Sequence, residues 1–548
     1  MKCKVLSLIF LTHFFLVCVS AQLINNGATI TVQNGAYIMS TGDVRNSGTI
    51  INNGKIETQG NFINSGTYNS TGNEDSLILT GSGPDTLTGG SSVINYLTIN
   101  KTSNTDIVRL GGTTTVNTKL DYLSGAFTTD PVLNSLFTLT SSAGATYNFT
   151  AGREIVGSVK RTGWSNGTMQ VFNQANMQVT TNAGTSPTDF TVTMIPQSGG
   201  GDPTQSEREV KRYFLFDNTN GSGFTADIRY PYLATELNTN IEANLVPWLL
   251  QTDWNARLAA TRDIANDYVQ LTGITPTELD AEWKLADPKY TFNVTAYIKG
   301  DWNNPSGTMR TTLNFGGLLP LSQPYSAPPF NYAGSEFVGS IPNANIVDWV
   351  LVDFRKPTSG LPADAVAGTF IGRKAAFLLS NGMLVDTDGF TPLSFNITKQ
   401  GSGYLVVRHR NHLAVMSNSL PSNASGSYTN NFSIFSNSYK KPTASSDPTV
   451  LLATSGAGST LYGMWPGDVN VSGSITTADV TPINIAIAGP ASGNANVYNP
   501  RDINLDKNVT TADVSITNTS VAAFASSSSA KPQGTENVLT SHVPAGGN

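Results

Sequence analysis

Two acidic loops near the carboxyl end hold the residues of this chain that are best suited to chemistry. The loops run from Asp468 to Asp479 and from Asp502 to Asp513, and both close on Thr-Thr-Ala-Asp. Oxygen-bearing side chains occupy loop positions 1, 3, 5 and 12, and position 7 can add a backbone carbonyl. The predicted ligands are Asp468, Asn470, Ser472, Ser474 and Asp479 in the first loop, and Asp502, Asn504, Asp506, Asn508 and Asp513 in the second.

This spacing is that of an EF-hand-type loop, which supplies the roughly six to eight oxygens that Ca²⁺ prefers. One such segment could equally be an Asx-rich turn. Two copies in the same register, 34 residues apart, favour a cation site. The copies differ at position 6, where the loop turns sharply, because Gly473 of the first is replaced by Lys507 in the second. The sequence therefore predicts two Ca²⁺ sites within residues 466–525.

The first 21 residues are typical of a secretory signal peptide, with a basic start, an apolar run over 5–19 and small residues before the expected cleavage after Ala21. Secretion to the exterior or to a bacterial cell surface is therefore predicted. Both cysteines, Cys3 and Cys18, lie in this peptide, so we expect no disulfide and no Cys-based zinc site in the mature chain. No later segment is long and apolar enough to predict a membrane span.

The composition favours a turn-rich β protein without a catalytic motif. Charged residues make up 13% of the chain, about half the usual share, and Asn-x-Ser/Thr sequons are frequent enough to suit a glycoprotein. The net charge is −6, and the absence of a basic cluster argues against nucleic acid as a partner. The sequence contains no Gly-x-Ser-x-Gly, His-Glu-x-x-His, phosphate-loop or dinucleotide-binding pattern.

Residues 22–152 contain a loose repeat of Asn-Gly and Asn-Ser-Gly turns between short alternating segments. One series of turns falls at Gly27, Gly48 and Gly66, a step of 18 to 21 residues. Such a step predicts a β-solenoid whose coils stack around a narrow apolar column. A run of β-hairpins with Asn-Gly turns is the alternative.

The remaining segments predict a mainly β, multidomain protein with a small α module at its carboxyl end. Alternating strands indicate β-sandwich domains over 153–287 and 288–440. Residues 254–264 fit either a helix or a strand-turn-strand unit, and Asn381-Gly382 predicts a hairpin. A linker over 441–465 and a flexible tail over 526–548 flank the calcium module.

Two other groups of residues invite a functional interpretation. His409 and His412 are interpreted as structural or surface histidines on opposite faces or at a turn, because the neighbouring arginines would repel a cation. Three aromatic residues in a proline-rich segment, Tyr325, Phe330 and Tyr332, could stack on sugar rings or pack on the sheet. Packing is the favoured interpretation.

The paired loops resemble type I dockerin repeats, in which each of two calcium loops is followed by a helix. The resemblance covers residues 466–525 and implies a cohesin-like partner. The basic residues that often begin dockerin helices are missing after Asp479 and Asp513. The resemblance therefore supports metal binding better than cohesin binding.

Residues 285–440 resemble a recurrent β module of secreted Bacteroidota surface proteins that are labelled adhesin- or hemagglutinin-like. The motifs that carry the resemblance include Phe-Asn-Val-Thr-Ala at 292–296, Val-Asp-Trp-Val-Leu-Val at 347–352 and Arg-His-Arg-Asn-His-Leu-Ala-Val-Met at 408–416. The resemblance implies surface attachment rather than catalysis.

These observations predict a non-enzymatic structural or adhesive protein of the cell surface or extracellular matrix, which binds other copies of itself or surface proteins and could assemble into fibres or a surface layer. A dockerin-bearing glycan-binding or cargo subunit of a polysaccharide-handling assembly is the alternative. A β-solenoid carbohydrate-active enzyme is less favoured, because no cluster of acidic and basic residues recurs on successive coils of 22–150.

Overall fold

The computed structural model is mainly β, with 45% of residues in strands and 11% in helices. The chain forms two compact units: one holds residues 1–197, 212–233 and 261–283, and the other holds 198–211, 234–260 and 284–548. The structure describes residues 21–72, 75–90, 92–129, 137–196, 209–238, 240–252, 254–399, 401–420, 426–442, 444, 446–454, 460–490, 493–526 and 538–544.

The amino-terminal strands form a parallel β-solenoid of about six turns. They are β1 (Leu23–Asn25), β2 (Thr29–Val32), β3 (Tyr37–Ser40), β4 (Val44–Asn46), β5 (Thr49–Asn52), β6 (Lys55–Thr58), β7 (Phe62–Asn64), β8 (Thr67–Ser70), β9 (Ser76–Leu79), β10 (Asp85–Thr88), β11 (Ile94–Asn100), β12 (Ile107–Leu110), β13 (Thr114–Ser124), β14 (Ala126–Thr128), β15 (Thr138–Ser142), β16 (Thr146–Phe149) and β17 (Ile155–Thr162). The strands stack in parallel on three faces, which begin with β1, β2 and β3.

The parallel register confirms the predicted solenoid and shows that the hairpin alternative is wrong. Val44, Ile50 and Ile56 of the second coil are fully buried, and each lies one coil beyond an apolar residue of the first. The column of apolar side chains supplies the hydrophobic driving force, since each coil covers the interior of its neighbour.

A ladder of buried asparagine side chains follows this column. The Asn25 amide donates to the Asn46 side-chain oxygen at 2.8 Å, and the Asn46 amide donates to that of Asn64 at 2.7 Å. Buried polar groups need such partners, because an unsatisfied amide costs about 1–3 kcal/mol. Asparagine therefore recurs with the coil step partly to bond inside the solenoid. The left-handed backbone of the turns falls instead on glycines such as Gly27 and Gly35.

Antiparallel sheets follow the solenoid and are sandwich-like, as predicted. Their strands are β18 (Gln170–Val171), β19 (Gln178–Asn182), β20 (Asp189–Pro196), β21 (Arg212–Thr219), β22 (Thr225–Pro231), β23 (Val246–Leu250), β24 (Trp254–Ala256), β25 (Thr261–Asp263), β26 (Tyr268–Ile274) and β27 (Trp283–Ala286), with one short helix, α1 (Pro276–Leu279). Strand β17 pairs with β20, and β18, β19, β22, β26 and β25 form a second sheet. Residues 254–264 contain two strands, so the strand alternative holds there.

The second unit is built on a five-stranded sheet of order β33-β32-β31-β35-β36 and a three-stranded sheet of order β34-β28-β37. Its elements are β28 (Lys289–Thr295), β29 (Trp302–Asn303), β30 (Thr308–Met309), α2 (Thr312–Phe315), β31 (Ile346–Arg355), β32 (Phe370–Leu379), β33 (Leu384–Val385), β34 (Leu393–Asn396), β35 (Tyr404–His409), β36 (His412–Met416), β37 (Ser427–Asn431), β38 (Val450–Thr454), β39 (Thr460–Gly463), β40 (Ser474–Ile475), α3 (Thr477–Ala488), α4 (Thr511–Ser526) and β41 (Leu539–Thr540). Short 3₁₀ turns occur at Ala234–Glu236, Glu242–Asn244, Ile264–Asn266, Pro362–Asp364, Ala367–Thr369 and Phe435–Asn437.

Aromatic side chains fill the core of this unit. Phe292 stacks on Phe395 with ring centres 4.2 Å apart. Strand β31 is buried along its whole length. The predicted hairpin is present, since β32 pairs with β33 across Gly382, which adopts φ +85°. Within the part of the chain that the structure describes, no helix is long and apolar enough to cross a membrane.

The aromatic residues of the proline-rich segment pack on this core, as the favoured interpretation held. Tyr325 is fully buried, and its hydroxyl donates to the Trp349 carbonyl at 2.7 Å. Phe330 lies edge-on against Tyr325, with ring centres 4.8 Å apart. Tyr332 packs partly buried against the same cluster. The Tyr325 ring is therefore enclosed rather than presented to a sugar.

Candidate metal centre

The two predicted calcium loops share one backbone conformation. Positions 4 and 6 are left-handed in both, at φ +53° for Val471 and +78° for Gly473, and at +51° for Leu505 and +73° for Lys507. Lys507 thus occupies a conformation that costs a non-glycine residue about 1 kcal/mol. The second loop adopts the geometry of the first despite the unfavourable residue, so the pattern of both loops, and not one glycine, determines the turn.

In each loop, the backbone bends around the carboxylate at position 1 and donates hydrogen bonds to it. Asp468 accepts hydrogen bonds from the backbone N–H groups of positions 5 and 6 at 2.9 and 3.0 Å. Asp502 accepts from the same two positions at 3.1 and 2.8 Å. These bonds hold the carboxylate in the concave side of the loop, where an EF-hand-type site has its first ligand.

The carboxylate at position 12 closes each loop and begins the helix that follows. Asp479 accepts from the N–H of position 9 at 2.9 Å and from that of position 3 at 3.2 Å. Asp513 accepts from position 9 at 2.8 Å and from position 2 at 2.7 Å. Thr476 completes a capping box with Asp479 at the start of α3. Because α3 and α4 follow the two loops directly, loop closure and helix formation depend on the same side chains.

The side chains at positions 3 and 5 turn into the same concave region. Asn470 accepts from the N–H of Ser472 at 2.9 Å, and the Ser472 hydroxyl donates to the Ser474 carbonyl at 3.1 Å. In the second loop, Asn504 donates to the Asp506 carboxylate at 2.9 Å. Asn508 of position 7 donates its backbone N–H to Asp506, also at 2.9 Å. The structure thus brings the sequence-predicted residues of each loop together.

Four buried carboxylates in these loops form no ion pair with a basic residue among the described residues. Asp468, Asp479, Asp502 and Asp513 are each 1% exposed or less. Burial and the charge of Asp479 raise the pKa of Asp468 to about 7. Burial also raises the pKa of Asp502 to about 7, with Asp513 adding to the effect and Arg410 opposing it. Such a surplus of buried negative charge fits a divalent cation.

The donor set is mixed rather than purely acidic. In the described parts of the chain, no three His, Cys, Asp or Glu side chains converge as a metal site. The first loop combines the carboxylates of positions 1 and 12 with amide, hydroxyl and carbonyl oxygens, and the second has the Asp506 carboxylate in place of the hydroxyl. Such oxygen donors suit Ca²⁺, which is a hard cation. They suit zinc less well, because zinc prefers nitrogen and sulfur ligands.

Apolar side chains pack behind the loops. Val469 and Ile503, both at position 2, form a cluster with Ile483 of α3 and Val509. Ile475, at position 8 of the first loop, lies instead in β40, which pairs with β41. Residues 538–544 belong to the segment that we expected to be a flexible tail, yet Leu539 is buried against Ile475. The rest of that tail beyond α4 lies outside the described residues.

The second loop is bonded to the β-sheet core of the same unit. The Asn411 side-chain amide donates to the Asp502 carbonyl at 2.7 Å. Just before the loop, the Tyr498 hydroxyl donates to the Asp348 carboxylate at 2.8 Å. Arg410 donates to the same carboxylate at 2.8 Å and lies 4.3 Å from the centre of the Tyr498 ring. We call Asp348, His409, Arg410, Asn411 and Tyr498 the docking network.

His409 belongs to this docking network and His412 contacts it; of the expected alternatives, structural histidines at a turn are correct, and a surface location or opposite faces are wrong. The His409 Nε2 atom lies 3.1 Å from the Asp348 carboxylate, and its Nδ1 lies 3.1 Å from the Nδ1 of His412. Both rings are buried, and burial lowers the pKa of both. Against the effect of its own burial, Arg410 and His409 hold the pKa of Asp348 below its usual range. Strand β35 ends at His409 and β36 begins at His412, so a turn lies between the two histidines, as one of the expected alternatives held.

Calcium affinity is expected to increase as the pH rises from about 5.5, by up to about tenfold per unit for each loop, and to level off above about 7. The pKa of Asp468 and that of Asp502 lie near 7 in the fold, above the ordinary value of 3.8. Without metal, the fold therefore loses stability as the pH rises between these values, because the unfolded carboxylates ionise first. A bound cation holds the ionised form and reverses the trend. Calorimetric titration at several pH values measures this change, and an affinity that stays constant would contradict it.

The resemblances to dockerins and to Bacteroidota surface modules rest on the motif residues of this chain. The two loops agree with each other in backbone conformation and in hydrogen bonding, and a helix follows each loop. When the chain is compared with protein families, curated proteins and solved structures, it matches none of them.

Proposed function

We propose that this protein is a secreted, non-enzymatic structural or adhesive component of the cell surface or extracellular matrix, with a carboxyl-terminal module stabilised by two Ca²⁺ ions. One observation carries the proposal: two loops repeat the same left-handed positions and the same hydrogen bonds around buried carboxylates. A geometry that recurs around buried carboxylates is best accounted for by a cation in each loop.

Calcium would act here as a structural element. It would neutralise carboxylates that repel one another within each loop, so that its binding free energy adds to the free energy of folding. Calcium in the second loop would also stabilise the contact between the module and the β-sheet core, because Asn411 and Tyr498 bond the two together. The module would then stay packed against the β-sheet core only while Ca²⁺ occupies the loops.

Two further observations support a non-enzymatic role. The interior of the solenoid is filled by apolar side chains and an asparagine ladder, as in a repeat protein with a structural role. Asp348 and Asp353, which could have served as a carboxylate pair, are fully buried, and each is bonded to arginine. Groups enclosed in this way stabilise the sheet and have no access to a polysaccharide.

A cohesin-like partner is a second candidate, supported by one feature of α3. Ile485 on this helix is 67% exposed, which is unusual for an isoleucine and suits a protein interface. The docking network opposes this reading, because it fixes the module to its own chain instead of leaving it free on a tether. A pull-down with a cohesin panel separates the two candidates, since wild-type capture that is lost in Ile485→Lys would favour the second.

The proposal is tested by titrating the secreted, metal-stripped chain with Ca²⁺ near neutral pH. We expect two ions per chain and a higher melting temperature, with roughly 4 kcal/mol of stabilisation per site at a thousandfold excess over Kd. Immunolabelling of intact cells should place the protein outside. A chain that takes up no calcium, or whose melting is the same in EDTA, would remove the basis of the proposal.

A further inference from the structure

The first coil of the solenoid is left open. Strands β1, β2 and β3 each pair with the coil that follows, and among the described residues none of them pairs on its other side. The second coil, by contrast, pairs on both sides in all three stacks. The first coil therefore presents three adjacent strand edges.

Along these edges, the main-chain groups of alternate residues point away from the stack. Leu23 donates to Asp43, while Ala28 and Ser40 accept from the coil that follows. Because N–H and C=O groups of successive residues point to opposite sides of a strand, the intervening residues direct theirs outward. These residues are Ile24, Thr29, Thr31, Tyr37 and Met39. Five residues thus offer donors and acceptors that are ready for a further β ladder.

The apolar column is also open at this end. Leu23, Ile30 and Ile38 are in register with the fully buried residues of the second coil, yet each of them is partly exposed. On the outer face, Ile24 is 53%, Tyr37 53% and Met39 49% exposed. Repeat proteins usually close such an end with a polar cap, so this coil has the character of an interface.

The edge lacks the usual protection against pairing. Exposed edge strands commonly carry charged residues or proline, but residues 21–42 contain no Asp, Glu, Lys, Arg or Pro. In a chain of net charge −6, such a neutral surface lets two copies approach without repulsion at the point of contact. The first coil of another copy of the chain has the same three short strands and the same open apolar column. It therefore matches this surface in shape and polarity.

We propose that two copies of this chain associate through their first coils, edge to edge, about a twofold axis. The opposite end of the stack cannot serve as the partner surface, because β17 there continues into antiparallel pairing with β20. The same surface must then meet itself, and such an isologous contact closes as a dimer. This proposal names one surface for the self-association predicted from the sequence, and it does not depend on calcium.

The test is analytical ultracentrifugation of the secreted chain up to about 100 µM, with and without EDTA. We expect a reversible dimer of about twice the monomer mass, weakened at least about 100-fold in the double variant Ile24→Lys, Met39→Lys by like-charge contact. Thr31→Pro removes only an outward N–H and should weaken the dimer too. Phe315→Lys, at a residue 95% exposed, is the matched control and should leave it unchanged.

Circular dichroism and melting curves show whether each variant keeps its fold. A chain that stays monomeric at every concentration would overturn the proposal, as would a dimer that is equally tight in both edge variants or a species that grows beyond two copies. Loss of calcium binding with an intact dimer would count against the proposed function alone.

Discussion

Replacing Asp348 by alanine is expected to lower the free energy of unfolding by about 3–5 kcal/mol and to loosen the carboxyl-terminal module. Arg410 and the Tyr498 hydroxyl would both lose the carboxylate that they share at 2.8 Å. A buried guanidinium without its counter-ion bears the full cost of desolvation. Thermal unfolding of the secreted chain in calcium measures the loss, and limited proteolysis reports the loosened module.

The matched control is Asp447→Ala, which removes a pair with Lys440 that is about half exposed on each side. Such surface pairs contribute about 0–1 kcal/mol. Equal effects of the two substitutions would show that the docking network adds little. In that case the contacts of the second loop with the β-sheet core would be incidental.

Replacing Asp513 by alanine is expected to remove one of the two calcium ions and to unfold the start of α4. The side chain accepts from the N–H groups of Ile503 and Thr510, so its loss costs about 0.5–2 kcal/mol as a cap even without metal. In calcium the loss should grow by the contribution of one site, about 4 kcal/mol at a thousandfold excess over Kd. Calcium stoichiometry and helix content by circular dichroism are the measurements.

The matched control is Asp506→Ser, which gives position 5 of the second loop the residue that the first loop has at Ser472. This variant should still bind two ions, with a weaker second site. If Asp513→Ala also kept two ions, position 12 would not be a ligand. If Asp506→Ser lost one, the first loop would not be a site of the predicted kind.

Local repetition made the solenoid and the loops predictable from the sequence. A turn series with a step of 18 to 21 residues predicted coils in register, and two loops of one spacing predicted one geometry. The repeat did not reveal that Asn25, Asn46 and Asn64 bond to one another inside the rod, because asparagine is equally typical of turns.

Partners distant in the sequence account for what the prediction missed. Asp348 meets Arg410 and Tyr498, which are 62 and 150 residues away. No periodicity relates these positions, so the histidines beside Arg410 were interpreted from their neighbours in the chain alone. The pairing of Leu539 with Ile475 was missed for the same reason.

The separation between Asp348 and Tyr498 also bears on the order in which the chain folds. During synthesis from the amino end, Asp348 is made long before Tyr498, which lies 150 residues later. Until Tyr498 is in place, the buried carboxylate lacks one of its hydrogen-bond donors. We therefore expect this part of the β sheet to reach its final packing only after most of the chain has been made.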